Sequence, residues 1–214
     1  MDNVIIEKTI EYVKEFFKND FSGHDYYHSL RVYQNAVRIA EIENADSGIV
    51  SLAALLHDVD DYKLSPETAC DMNNARVFLK TIGVSDVNAD RICNIISQIS
   101  FKGTDTVIPD TIEGKCVQDA DRLDALGAIG IARVFAYGGA NNRAIYVPEI
   151  SPDVTMNGAE YRNCQSSSIH HFYEKLFLLE DLMNTETGKK IAHDRTKIMK
   201  RFVEDFLNEW NGNF

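Results

Sequence analysis

Proline is scarce in this chain, with four residues in 214. Helices are therefore permitted over almost the whole length, because proline is the residue that most reliably interrupts one. Cysteine is equally sparse. Cys70, Cys93, Cys116 and Cys164 lie far apart and form no CxxC pair. That spacing argues against a zinc knuckle or a disulfide framework, and reduced thiols in a cytoplasmic protein are the simplest expectation. No apolar run is long enough to span a bilayer, and the first residues lack the charged-then-apolar order of a signal peptide, so no membrane partner is expected. The absence of GxxxxGK[ST] argues against a P-loop kinase or ATPase. Alternating strand patterns, internal repeats and low-complexity tracts are missing too.

Positive charge is also in short supply: 22 Lys and Arg stand against 33 Asp and Glu, for a formal net charge of −11. A nucleic-acid polymer needs a basic footprint, so DNA and RNA are not expected as partners. A small anionic substrate is still admissible, because a metal ion and a few nearby cations override the global field at short range. The remaining composition, 44% hydrophobic and 26% charged, is ordinary for a soluble globular chain. One domain over residues 1–214 is the expectation at this length.

What the chain has in abundance is helical periodicity. Ile6, Ile10, Val13 and Phe17 recur at steps of three and four. His28, Val32, Ala36 and Ile39 share a face between residues 27 and 43. Residues 48–58 carry Leu52, Leu55, Leu56 and Val59 and are apolar nearly all round, as a buried helix would be. Ser65-Pro66-Glu67 reads as N-cap, first-turn proline and acidic first turn, followed by Met72, Ala75, Leu79 and Ile82, with Gly83 placed to end the helix. Ser85 is a cap for the next, whose Ile92, Ile95, Ile96 and Ile99 face inward. One long helix is expected over residues 112–135, its Gly127 and Gly130 packed closely on a neighbour. Residues 137–167 are rich in Gly, Asn, Ser and Pro and read as a long irregular loop of the kind that forms lids or partner contacts. Helix resumes with Ile169, Phe172, Leu176 and Leu179, and a last helix carries Ile191, Ile198, Phe202 and Phe206 towards Trp210. The fold expected is all-α, with a core over residues 20–135 and a C-terminal helical part over 168–211. Trp210 and residues 137–167 are candidate interfaces, which leaves a homodimer open.

The chemistry-bearing residues are two histidines and two aspartates: His28, the doublet His57-Asp58, and Asp121. The doublet ends a Leu-rich helix, where an imidazole and a carboxylate are expensive to bury unless paired or metal-bound. His28 lies on the apolar face of its own helix. Asp121 sits in the acidic cluster Asp119-Ala120-Asp121-Arg122-Leu123-Asp124. Imidazole and carboxylate together suit a divalent transition metal or Mg.

This order of residues resembles the HD-domain phosphohydrolases, whose pattern is a His, a His-Asp doublet and a distant Asp, all on helices. The pattern stands in Tyr27-His28-Ser29-Leu30-Arg31, Leu56-His57-Asp58-Val59-Asp60-Asp61 and Ala120-Asp121-Arg122-Leu123-Asp124, and a closer similarity, to a subgroup of small single-domain bacterial hydrolases, runs from Glu113-Gly114-Lys115 through Gly138-Gly139 and through His171-Phe172-Tyr173-Glu174-Lys175-Leu176. It implies that His28, His57, Asp58 and Asp121 bind one divalent ion, whether Mn, Mg, Fe, Co, Ni or Zn. Many members carry a further His near residues 98–100. Here the run is Gln98-Ile99-Ser100, which favours one ion over two. The resemblance also implies a small phosphorylated substrate, a nucleotide, with Asp61 orienting or deprotonating the attacking water and Asp60 as its competitor. Arg31 and Lys63 are candidates for neutralising charge on the phosphoryl group, and Lys102, Arg122, Arg143, His171 and Lys175 are candidates for binding substrate. Two other readings stay open. One is a metal-stabilised nucleotide sensor without turnover. The other is a hydrolase of cyclic nucleotides or guanosine polyphosphates.

Several residues have plainer explanations. Asp25 reads as a helix N-cap and His24 as its neighbour. Asp119 and Asp124 read as a surface acidic turn, with Asp124 alternatively paired to Arg122 or orienting a ligand. His170 and His171 diverge by about 100° on a helix, so both rarely hold one ion. His193 reads as a surface residue, and Tyr26, Tyr27 and Tyr137 as packing aromatics.

Overall fold

The structure is a computed structural model that describes residues 3–18, 25–61, 65, 67–100, 106–154 and 166–213. Among these residues the chain is all-α: α1 (Asn3–Phe16), α2 (Tyr26–Glu43), α3 (Ser47–Leu56), α4 (Asn73–Thr81), α5 (Asp86–Ser97), α6 (Ile112–Asp124), α7 (Gly127–Ala140), α8 (Ser168–Glu174), a 3-10 turn (Leu176–Leu179) and α9 (Glu186–Trp210). No single described helix is long and apolar enough to cross a membrane. The chain divides into two compact units. One spans Met1–Ser100 and Val107–Asp121, the other Phe101–Thr106 and Arg122–Phe214.

The first unit is organised by α3, which packs against α1, α2 and α5, while α4 rests on α5. Asp46 starts α3 by accepting from the backbone N–H groups of Gly48 and Ile49 at 3.0 and 3.2 Å, two of the donors a helix N-terminus leaves unmatched. Ile49, Val50 and the run from Leu52 to Leu56 are then buried on every side. Each such Leu or Ile contributes roughly 1.5–3 kcal/mol of transfer free energy. Asp25 caps α2 through the N–H of His28 at 2.8 Å, and Ser85 caps α5, as their sequence positions imply.

The start of α4 differs from expectation. Residues 67–72 form turns rather than the first turns of a helix, and α4 begins only at Asn73. Thr68 and Ala69 both donate to the Ser65 carbonyl at 3.1 Å, so Ser65 anchors a turn. The cap of α4 comes instead from a residue distant in sequence. Asp60 accepts from Asn74 N–H at 3.1 Å and Ala75 N–H at 2.9 Å.

The second unit is built on α9, which packs on α7 and on the 3-10 turn, with α8 against α7. Its centre is aromatic: Phe172 lies 5.8 Å from Phe202 and 6.3 Å from Phe135, centroid to centroid, and Phe206 stacks on Trp210 at 5.8 Å. Thr185 caps α9 by accepting from Gly188 N–H at 2.9 Å. The buried face of α9 is Ala192, Thr196, Met199 and Val203; Ile198, expected on that face, is 51% exposed.

The single helix expected over 112–135 is two. At its end Ala125 and Leu126 donate to Arg122 and Leu123 at 3.1 Å, a 3-10 tightening that closes α6. Leu126 is extended and Gly127 has φ of +71°, a backbone that side chains resist, and α7 starts afresh. Gly127 packs on Arg195, as a close approach would require, whereas a Cβ on Gly130 would stand 2.2 Å from the Ala125 carbonyl oxygen. The neighbour of Gly130 is thus the break itself. The irregular segment is also shorter than expected, because α7 continues to Ala140. Ala144 and Ile145 accept from Ser168 and Ile169 at 2.9 Å, which fixes the start of α8.

Candidate metal centre

α2, the turn after α3, and α6 bring four side chains of the first unit together. His28 Nε2 lies 3.2 Å from His57 Nε2, 3.3 Å from Asp58 Oδ2 and 3.5 Å from Asp121 Oδ1. His57 Nε2 lies 3.4 Å from Asp58 Oδ2 and 3.8 Å from Asp121 Oδ1. The local causes are simple. The Asp25 cap sets the first turn of α2 and with it His28. His57 is the C-terminal cap residue of α3, still in right-handed backbone, so the doublet leaves the helix where the chain turns.

The donor set fits a divalent ion on its own chemistry. His57 Nδ1 lies 2.8 Å from the Ala54 carbonyl oxygen. A carbonyl only accepts, so Nδ1 carries the proton and the Nε2 lone pair is turned towards His28 and the two carboxylates. Donors held about 2.0–2.2 Å from one ion stand roughly 3.0–3.5 Å apart in octahedral or tetrahedral geometry, close to the separations found. His28, His57 and Asp58 are buried. Asp121 keeps 27% of its side chain exposed, an opening through which water can reach the group. Among the described residues this is the one cluster of three or more His, Cys, Asp or Glu whose ligand atoms converge, counted as His28, His57 and Asp58. Gln98, standing where many HD proteins have a further His, is engaged elsewhere. It accepts from Asp110 N–H at 3.1 Å and donates to the Asp110 carboxylate at 3.3 Å.

The remaining site candidates separate into groups. Asp61 is half-buried three residues beyond Asp58. Asp60 is 3% exposed and has both oxygens on the backbone of α4. Arg31 is half-buried on α2, one turn after His28. Lys63, Lys102 and His24 lie outside the described residues. Arg122, Arg143, His171 and Lys175 belong to the second unit. Arg122 is buried and donates to the Leu182 carbonyl, which gives it a place in the packing of that unit. Arg143 stands 5.6 Å over the Tyr137 ring. Burial, with Lys175 and then Arg143 nearby, pushes His171 down to about 3, so it is neutral at physiological pH.

The acidic turn expected at Asp119 and Asp124 is buried instead. Asp124 pairs with Arg133 at 2.6 Å. Cys93 and Cys116 are buried and Cys70 is exposed, all as free thiols. Burial foremost, then Asp119, Glu43 and Glu113, pushes Cys116 up to about 12. Sequence reasoning missed Asn74, whose side-chain amide donates to the Val59 carbonyl at 2.9 Å and to Thr68 Oγ1 at 3.0 Å. No local signal marks it, because its partners lie 15 and 6 residues away.

Comparison with known proteins shows the family. The family model for the HD domain matches residues 25–126. The chain is similar to YpgQ of Bacillus subtilis, 39% identical over 208 residues that cover 96% of this chain and 94% of that protein. A crystal structure of YpgQ in complex with ADP superposes with a TM-score of 0.76 at 37% identity, covering 95% of this chain and 96% of that one. An HD-superfamily hydrolase of Bacillus thuringiensis gives a TM-score of 0.76 at 44% identity over 96% of both chains. A Lactobacillus plantarum protein gives 0.87 at 38% identity over 100% of both.

Proposed function

This chain belongs to the HD-domain family of hydrolases, and from that premise we propose that it is a metal-dependent phosphohydrolase whose substrate is a nucleotide. The observation that carries the reading is the convergence of His28, His57, Asp58 and Asp121 on one point. The nucleotide rests on the ADP complex of YpgQ, together with a net charge that disfavours nucleic-acid polymers. The bond broken is a phosphomonoester or a pyrophosphate bond.

His28, His57, Asp58 and Asp121 are the residues that would hold the ion. A divalent ion bound there supplies Lewis acidity and lowers the pKa of a coordinated water towards neutrality. Asp61 is the group proposed to orient water and accept its proton as the oxygen bonds to phosphorus, and the departing oxygen takes up a proton in turn. The choice of Asp61 over Asp60 is supported by the engagement of Asp60 with α4. Arg31, with Lys63, is proposed to balance charge gathering on the phosphoryl oxygens. Arg143, His171 and Lys175 are proposed as further substrate contacts.

The test is a panel of nucleoside mono-, di- and triphosphates with Mn²⁺, Mg²⁺, Co²⁺ and Zn²⁺, with products identified. Release of phosphate or pyrophosphate, abolished by Asp58→Ala together with metal retention, is the expected result. A nucleotide that raises the melting temperature but is recovered intact would replace this reading with that of a sensor.

A further inference from the structure

The carboxylate of Asp60 and the amide of Asn74 reach towards each other's segments. Asp60, next to the doublet turn, closes over the first N–H groups of α4. Asn74, in the first turn of α4, reaches back to the carbonyl of Val59, the residue immediately after Asp58. Its second amide hydrogen goes to Thr68 Oγ1, whose hydroxyl bonds the Ser65 carbonyl at 3.3 Å. The Ser65 N–H donates in turn to the Asp61 carbonyl at 2.8 Å. One side chain therefore ties Val59, next to Asp58, to Thr68, which follows Asp61 in the chain.

Two further features mark this clasp as built. Met72, just before α4, is held at φ of +52°, a left-handed conformation that is unfavourable for a non-glycine residue. That cost is borne at the point where the chain must turn α4 onto Asp60. Asp60, buried next to a helix N-terminus, has its charge met by backbone dipoles rather than by a cation, so it does not compete for a metal.

We propose that Asn74 is a positioning residue for the His57–Asp58–Asp61 turn, acting through the Val59 carbonyl and Thr68 rather than by touching metal or substrate. The proposal rests on the metal-dependent reading above. Without Asn74 the Val59 carbonyl and the Thr68 hydroxyl lose their donor, and Asp58 is released to sample orientations that no longer converge on the two imidazoles.

The experiment is titration of Co²⁺ into the metal-stripped full-length chain, read by calorimetry and by the visible d–d absorption of bound Co²⁺. Leu79→Ala is the control, since Leu79 is a fully buried α4 residue outside the clasp and its truncation destabilises without breaking it. Asn74→Ala is expected to weaken Co²⁺ binding roughly tenfold, the lower end for residues that orient ligands, and to alter the absorption band. Leu79→Ala is expected to lower the melting temperature at least as much and leave binding and band unchanged. Should Asn74→Ala prove too unstable to purify, Asn74→Asp keeps the shape, removes both donors and carries the same expectation. Binding and spectrum like the unmodified protein in the Asn74 variants, or equal weakening in Leu79→Ala, overturns the proposal. An unmodified chain that binds no Co²⁺, or an Asp58→Ala variant that binds it equally well, overturns the metal reading instead and takes the proposal with it.

Discussion

In the first unit, carboxylates reach onto backbone N–H groups: Asp25 onto His28, Asp46 onto Gly48 and Ile49, Asp60 onto Asn74 and Ala75. In the second unit guanidiniums do the reaching. Arg122 meets the Leu182 carbonyl, Arg195 meets the Leu123 carbonyl at 2.5 Å, and Arg133 meets the Asp124 carboxylate. The second unit has hydroxyl caps in Ser167 and Thr185 but no carboxylate cap at its described helix N-termini. The cores differ as well, aliphatic around α3 and aromatic around α9. The difference teaches that polar satisfaction can be delivered with either sign.

The sharpest way to break this comparison is in the aromatic core. Phe172→Ala is expected to cost about 4 kcal/mol, the usual scale for emptying a buried ring. Trp210, the single tryptophan, stacks on Phe206 within the same unit. Denaturation followed by its fluorescence therefore reports the second unit, while circular dichroism reports both. A shift in the fluorescence midpoint well beyond that in circular dichroism would show the aromatic core melting apart from the aliphatic one. Coincident shifts would show one cooperative system.

Next in size is Arg133→Met, which takes one guanidinium away from the buried Asp124 carboxylate and is expected to cost about 3 kcal/mol in the same measurement. A change below about 0.5 kcal/mol would mean that the guanidinium is decoration. A third test uses pH. His171 folds into a place where its pKa falls from 6.5 to about 3, while the unfolded chain still takes up the proton. Stability is therefore full above about pH 6.5 and declines as pH drops from there towards 3. One such proton contributes at most about 1.4 kcal/mol per pH unit. His171→Gln is expected to flatten the melting temperature profile across that window, and an unchanged profile would remove His171 as the cause. The smallest effect belongs to the carboxylate caps. Asp46→Ala is expected to destabilise by about 1 kcal/mol in equilibrium unfolding, with α3 still formed because its burial dominates.

The parts legible in the sequence are those where one short stretch contains both the signal and its answer. Asp25 and Ser85 cap the helices they precede, and the Leu-rich run before His57 is buried as its composition demands. The Ser65-Pro66-Glu67 signal is equally local and was overridden, because Asp60 offered α4 a better cap from outside. The break after Asp124 escaped periodicity because Leu123, Leu126 and Val134 are buried on both sides of it, so the apolar pattern runs straight through. Only the positive φ of Gly127 marks it. That His28, His57, Asp58 and Asp121 lie close together was legible from residue type and flanking residues. The hydrogen bonds that Asp60 and Asn74 make beside the doublet turn were not. Their partners, apart from Thr68 Oγ1, are backbone atoms, which no side-chain pattern reveals.

The crowding at Gly130 has a historical side. A methyl group there collides with the Ala125 carbonyl in the break after α6, so a lineage carrying this fold cannot drift at that codon without first relocating the break. Gly139, on the same helix with nothing within 4 Å of its would-be Cβ, carries no such constraint. Two glycines nine positions apart thus age differently under packing, one as a fixed point of the architecture and the other with room for a side chain.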